Sequence, residues 1–261
     1  MAAAASVNPV LDPSGYEITF AMAGPSLSGS GVYINPLGIV NAASIAPAVD
    51  AISPGEFIGI YGSGLGGAPT AALPPYPASV AGVSVMIGGL PAPVQFVSPG
   101  QLNCLVPYGL TGSSAAITVT YNGSSSNAVT VPVAATSPGI FSIDGSGTND
   151  GAILHADYSV VSTSNPARKG EIITMYLTGL GAVTTPVADG TAAIGLNLAK
   201  AQLQVLVNGM ESTVSYAGLS GFPGLYQINF QIPAGLAFSG QIPLAILTAD
   251  AFHDQVTIAV Q

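Results

Sequence analysis

The stretch GEFIGIYGSGLG, residues 55–66, decides the fold. With the next residue it places Gly62, Gly64 and Gly67 in G-x-G-x-x-G spacing, the spelling that seats a dinucleotide pyrophosphate on a helix N-terminus. That chemistry needs a helix directly after the glycines. The residues that follow, APTAALPPYPAS, carry Pro69, Pro74, Pro75 and Pro77, which forbid one. The glycines therefore read as a turn at a strand end, where positive φ has little steric cost for glycine.

The same stretch occurs a second time. GEIITMYLTGLG, residues 170–181, matches it at 7 of 12 positions with an offset of 115. QLNCLVPYGL (101–110) matches QINFQIPAGL (227–236) at 5 of 10 positions with an offset of 126. Near the two ends VTVPV (129–133) answers VTIAV (256–260) with an offset of 127. The three blocks keep their order, so the chain holds one unit twice, the second copy longer by about eleven residues. The second copy has Leu177 and Ala182 where the first has Gly62 and Gly67, which removes the phosphate-loop spelling.

Apolar residues alternate in both copies, as in Val83, Val85, Ile87 against Leu203, Val205, Val207, and Ile117, Val119, Tyr121 against Ile242, Leu244, Ile246. A period of two marks half-buried strands. Ile58 and Ile60, like Ile173 and Met175, are expected to face a core. Asn-Gly and Gly-Gly pairs between the strands supply the positive φ of tight hairpins, and no helix longer than two turns is expected. The expected fold is all-β: two tandem immunoglobulin-like β-sandwich domains with an extra N-terminal strand segment. The expected divisions are 1–35, an extension with an amphipathic strand; 36–136, the first sandwich; and 137–261, the second.

Composition excludes several functions. Only 15 of 261 residues are Asp, Glu, Lys or Arg, about 6% against roughly 25% in an ordinary soluble domain. Three cations, Arg168, Lys169 and Lys200, in a chain of net charge -9 cannot neutralise a phosphate backbone, so nucleic acid is not an expected partner. Mean hydropathy is high, +0.58. Pro, Gly and Ser nevertheless interrupt every apolar run before the roughly 18–20 residues of a spanning helix, so no membrane span is expected. The start, MAAAASVNPV, lacks the basic region and sustained apolar core of an intact signal peptide. A single cysteine, Cys104, excludes an internal disulfide framework.

The run VNAAS, SPGE, YGSGLGG, GVSVMIGGLPAPVQFVSPGQLNCLVPYGL, SNAVTVPVAATSPGIFSID and then NPARKGEIITMYLTGLG and PVADG resembles a known family. It is similar to the paralogous C-terminal region, of no assigned function, found on many secreted proteins of acidobacterial type. That region is itself similar to IPT/TIG-like immunoglobulin domains. The resemblance covers about residues 36–261. It implies the sandwich fold and an extracellular or cell-surface setting, and it brings no active site.

Each chemical motif was weighed against its structural reading. In DGSGTNDG, Asp144, Ser146, Thr148 and Asp150 alternate as in a calcium loop, but the distal bidentate Glu is missing. Asp144 and Asp150 are weak calcium candidates in what reads as a β-hairpin turn. His155 and His253 have no Cys, His or Glu at zinc spacing, and no G-x-S-x-G elbow accompanies the serines. Cys104 alternates with Leu102 and Val106 and reads as an inert core thiol. Asn122–Ser124 is a glycosylation sequon and also a hairpin turn, the preferred reading. No catalytic residue, metal or cofactor is expected, and the chain is read as not an enzyme.

In GYEITFAMAG (15–24), Tyr16, Ile18, Phe20 and Met22 share one face of a strand that has no counterpart before the second unit. It either pairs with GVYIN (31–35) on its own domain or adds to the sheet of a neighbouring subunit. The expected function is a non-enzymatic extracellular structural subunit, self-assembling in a filament or surface layer, or adhesive, with itself or a cell-surface molecule as partner. The alternative is a ligand-binding module, for glycans or calcium-dependent contacts, flanking another domain.

Overall fold

A computed structural model describes residues 29–46 and 50–261. Among these no α-helix occurs, and the strands form two β-sandwiches. In the first, one sheet orders Tyr33–Asn41, Phe57–Ser63, Gln101–Leu105, Val94–Val97 and Thr70–Ala71. The facing sheet is built on Ser114–Tyr121 and Val83–Ile87. In the second, Ile172–Thr178 carries Gly139–Ile140 and Ile153–Leu154 on one side and Tyr226–Gln231 on the other, with Val214–Leu219 beyond. Its facing sheet orders Asn149–Asp150, Phe252–Val260, Gly240–Thr248, Leu203–Val207 and Met210–Glu211.

The offsets of the repeat reappear as strand register. Ile58 lies opposite Cys104 and Ile60 opposite Leu102; their counterparts pair alike, Ile173 opposite Phe230 and Met175 opposite Ile228. All eight side chains are buried, as the alternation requires. Each sandwich has its own core, the first drawing on residues from Ile34 to Val131 and the second from Ile140 to Val260. Burying each Leu, Ile or Phe there contributes roughly 1.5–3 kcal/mol before entropy is counted. A parallel bridge closes each unit at the same place, Ile52 to Val133 and Ala167 to Val260.

The Asn-Gly turns form as their chemistry demands. Asn122 and Gly123 have φ of 47° and 83°, and Asn208 and Gly209 have 49° and 78°, the paired positive values of a type I′ hairpin. GVYIN belongs to the first sandwich: its Tyr33 and Ile34 pair with Ser63 and Gly62, and Ile34 is fully buried. The Tyr16–Met22 segment lies outside the described residues.

The two sandwiches are joined end to end. Phe57–Ser63 runs from the junction to the far rim of the first, and Ile172–Thr178 runs from the far end of the second to the junction. Part of the extra length of the second unit, the 182–202 connection, reaches back across this seam. Asp189 Oδ1 accepts the Tyr108 amide at 2.8 Å and the Gly190 carbonyl accepts the Tyr76 amide at 2.8 Å.

Candidate functional site

One local device is built twice, at the start of the repeated strand. Ser53 to Glu56, SPGE, and Arg168 to Glu171, RKGE, both form a turn whose glutamate carboxylate closes it. Glu56 Oε2 accepts the Ser53 amide at 2.7 Å, and Glu171 Oε2 accepts the Arg168 amide at 2.8 Å. The other oxygen takes a side-chain donor from a strand beside it: Asn41 Nδ2 at 2.9 Å for Glu56, His155 Nδ1 at 2.5 Å for Glu171. The backbone repeats as well. The Glu56 and Glu171 carbonyls accept the Val106 and Ile232 amides, each at 2.8 Å.

The first copy is covered by the second sandwich. Ser53 Oγ donates to the Gly179 carbonyl at 3.2 Å. Thr178 Oγ1 accepts the Phe57 amide at 2.8 Å and donates to the Gly224 carbonyl at 2.9 Å. Asn41 Nδ2 also reaches the Ser137 carbonyl at 3.1 Å. Tyr226, fully buried, donates its hydroxyl to the Gly181 carbonyl. Gly55 has φ +75° and lies under two tyrosines: a Cβ there would stand 2.2 Å from the Tyr108 ring and 2.8 Å from the Tyr226 hydroxyl. Complete burial pushes the Glu56 carboxyl up to about 8, against the opposing pull of its hydrogen bonds from Ser53 and Asn41. Burial likewise raises Tyr108 to about 12. The seam is thus polar, dry and hydrogen-bonded, the kind of junction that fixes two units in one relation.

The second copy is open. Around Glu171 lies a cleft of about 610 Å³ whose lining includes His155, Asp157, Arg168, Lys169 and Gln261. Partial burial disfavours the charged imidazole, but the Glu171 carboxylate and the Asn165 carbonyl outweigh it and raise the His155 pKa. Glu171 is lowered: burial pushes it up, and the hydrogen bonds from His155 and the Arg168 amide pull it further down. With Nδ1 on a carboxylate and Nε2 3.1 Å from the Asn165 carbonyl, His155 faces an acceptor at both nitrogens. Both contacts favour the doubly protonated imidazole, which has no lone pair to take a proton from a serine. His253 is half-buried, and burial lowers its pKa.

Both calcium candidates are engaged, Asp144 within its own loop and Asp150 by side chains of neighbouring strands. Asp144 Oδ1 accepts from the Ser146 amide and hydroxyl at 3.0 and 2.7 Å, and Oδ2 accepts from Asn149 at 3.0 Å. Those bonds hold the Asp144 carboxyl below its ordinary range. Asp150 accepts from Gln241 and from Thr257 Oγ1. Among the described residues no cluster of three or more His, Cys, Asp or Glu could hold a metal. Cys104 is buried and its thiol is pushed up to about 12. The assembly residues Tyr16, Ile18, Phe20 and Met22 fall outside the described residues.

Reading by motif missed Asn41, Thr178 and the His155–Glu171 pair. The available signal was Gly-Glu at 55–56 and 170–171, which the repeat displays but whose carboxylate had no visible partner in sequence.

No curated protein matches the sequence. Among solved structures, the chain resembles SGBP-B of the Bacteroides ovatus mixed-linkage glucan utilization locus, in complex with a mixed-linkage heptasaccharide, at 17% identity and TM-score 0.33, covering 81% of this chain and 43% of that one. It also resembles SGBP-B from a complex xyloglucan utilization locus of Bacteroides uniformis, at 13% identity and TM-score 0.26, covering 80% and 45%. A tandem from titin resembles it at 11% identity and TM-score 0.23, covering 80% and 61%. The chain spans less than half the length of the two Bacteroides structures. Residues 43–133, within the first sandwich, match the IPT/TIG domain family.

Proposed function

We propose that the protein is a non-enzymatic extracellular structural subunit that assembles with its own copies at the cell surface, with the Tyr16–Met22 strand adding to a neighbour's sheet. Its units are the extension 1–35, whose Tyr33 and Ile34 pair into the first sandwich, a sandwich over 36–136 and a sandwich over 137–261. The observation that carries this reading is a surface nearly without charge that leaves large apolar side chains in the open. Ile194 is 99% exposed, Leu196 72%, Phe222 61% and Phe252 55%, on a chain with 15 charged residues. Apolar exposure of that kind marks a surface covered in use.

Size-exclusion chromatography and electron microscopy test the proposal. The expected result is concentration-dependent assembly that deleting residues 1–24 abolishes; a monomer at high concentration, unchanged by the deletion, refutes it. A ligand-binding module is the second reading, favoured by the polar cleft beside Glu171. Calorimetry with Ca²⁺ and a glycan array separate the two, since an assembly subunit has no saturable small ligand.

A further inference from the structure

The seam between the sandwiches joins two repeat elements, and each occurs once more in the chain. TGLG (178–181) of the second sandwich meets SPGE (53–56) of the first. At an offset of 115 from these stand SGLG (63–66) and RKGE (168–171). By the strand directions, SGLG lies on the far rim of the first sandwich and RKGE at the far end of the second, at opposite poles of the molecule. The surroundings repeat too: a Cβ on Gly179 would strike the Ser137 carbonyl at 2.0 Å, and one on Gly64 would strike the Gly31 carbonyl at 2.3 Å.

The two pairs differ in cover. Thr178 and Gly179 are buried, whereas Ser63 is half-buried and Gly64 exposed. Glu56 is fully buried; the Glu171 side chain is 23% exposed. Ile172, in the place of Phe57, leaves 53% of its surface in solvent.

We infer that a second copy of this chain docks its Ser63–Gly66 rim on the Arg168–Glu171 end of the first, so that copies stack head to tail in the relation the two sandwiches already have within one chain. The inference rests on the reading of a self-assembling subunit and names its contact. In that contact Ser63 takes the place of Thr178, opposite the Ile172 amide. Arg168 takes the place of Ser53, whose hydroxyl faces the Gly179 carbonyl, and offers its guanidinium to the Gly64 carbonyl. A heterologous contact between opposite poles does not close on itself, so addition continues into a filament. The tyrosine anchors of the seam are not repeated: Gly100 stands for Tyr226 and Ala234 for Tyr108. The contact between copies is therefore weaker than the seam and reversible with concentration.

Site-directed cross-linking tests this. The Phe57 amide and Thr178 hydroxyl are 2.8 Å apart, so cysteines at the corresponding pair, Ser63→Cys and Ile172→Cys, fall within disulfide reach across copies. Cys104 is buried and does not compete. Each single variant should form no covalent dimer on oxidation, their mixture should give one, and the double variant a ladder; Phe57→Cys with Thr178→Cys in one chain is the positive control. In parallel, Ile172→Glu at its exposed position should lower the assembled fraction ~10-fold with the circular dichroism unchanged. A double variant without a ladder while the control closes, or single variants that dimerise as well as the mixture, overturns the inference. Wild type that assembles while the double variant yields no ladder removes this contact and leaves strand addition standing; wild type that stays monomeric removes both.

Discussion

Glu56 and Glu171 stand 115 residues apart in the chain and in the same place in their sandwiches, and each accepts the amide three residues before it, at 2.7 and 2.8 Å. One is sealed in the seam with Asn41; the other faces a cleft with His155. The pair isolates what cover does to one local structure.

The first consequence is a pH dependence of stability. Glu56 has its carboxyl raised to about 8 by burial, so the folded protein holds this proton more tightly than the unfolded chain. The stability so conferred is complete below the ordinary glutamate pKa and is lost as pH rises through about 8, at up to ~1.4 kcal/mol per pH unit. Glu56→Gln should flatten that decline. Urea unfolding between about pH 5 and pH 9 measures it.

Gly55 and Gly170 are equivalent glycines with φ of +75° and +83°, yet only Gly55 has neighbours within 4 Å of a built Cβ. Gly170→Ala should cost about 1–2 kcal/mol for the left-handed backbone alone. Gly55→Ala should cost about 1–3 kcal/mol more, because Tyr108 and Tyr226 must move. Denaturant midpoints of the two variants give the comparison directly.

The His155–Glu171 pair should contribute most between the pKa of its carboxyl and that of its imidazole. His155 is raised, so its contribution is full below the ordinary histidine pKa and disappears as pH climbs through the folded value; Glu171 is lowered, so its share disappears on acidification. His155→Gln should therefore destabilise by about 0.2–1 kcal/mol near pH ~5.5 and by less near pH ~9. Thermal melts at the two pH values decide it.

Cys104 should resist thiol reagents in the native protein, since burial both encloses the sulfur and raises its pKa to about 12. A chromogenic disulfide reagent should label it only after denaturation, at the rate of global unfolding.

Much of the fold was legible in the residues. The alternation at Ile58, Ile60, Ile173 and Met175 named core positions because a strand puts every second side chain on one face, and all four are buried. The Asn-Gly pairs named their hairpins because type I′ turns require two positive φ values. The aligned Cys104 and Phe230 take equivalent places, opposite Ile58 and Ile173, a pairing the spacing did not name. The site was far less legible. Asn41 meets Glu56 across 15 residues, His155 meets Glu171 across 16, and Thr178 meets Phe57 across 121; no periodicity encodes such meetings.

What the sequence determined by itself is whatever local geometry dictates: strands from alternation, turns from Gly and Asn, two units from the repeat, and the failure of G-x-G-x-x-G as a cofactor loop from the prolines behind it. What only the tertiary structure decided is which copy of a repeated element is covered. Ser53–Glu56 and Arg168–Glu171 are nearly the same turn, and they differ because one lies under another sandwich and one does not. Burial is a property of the whole packing, and it raises the pKa of the glutamate sealed in the seam while the other, beside a histidine, is lowered.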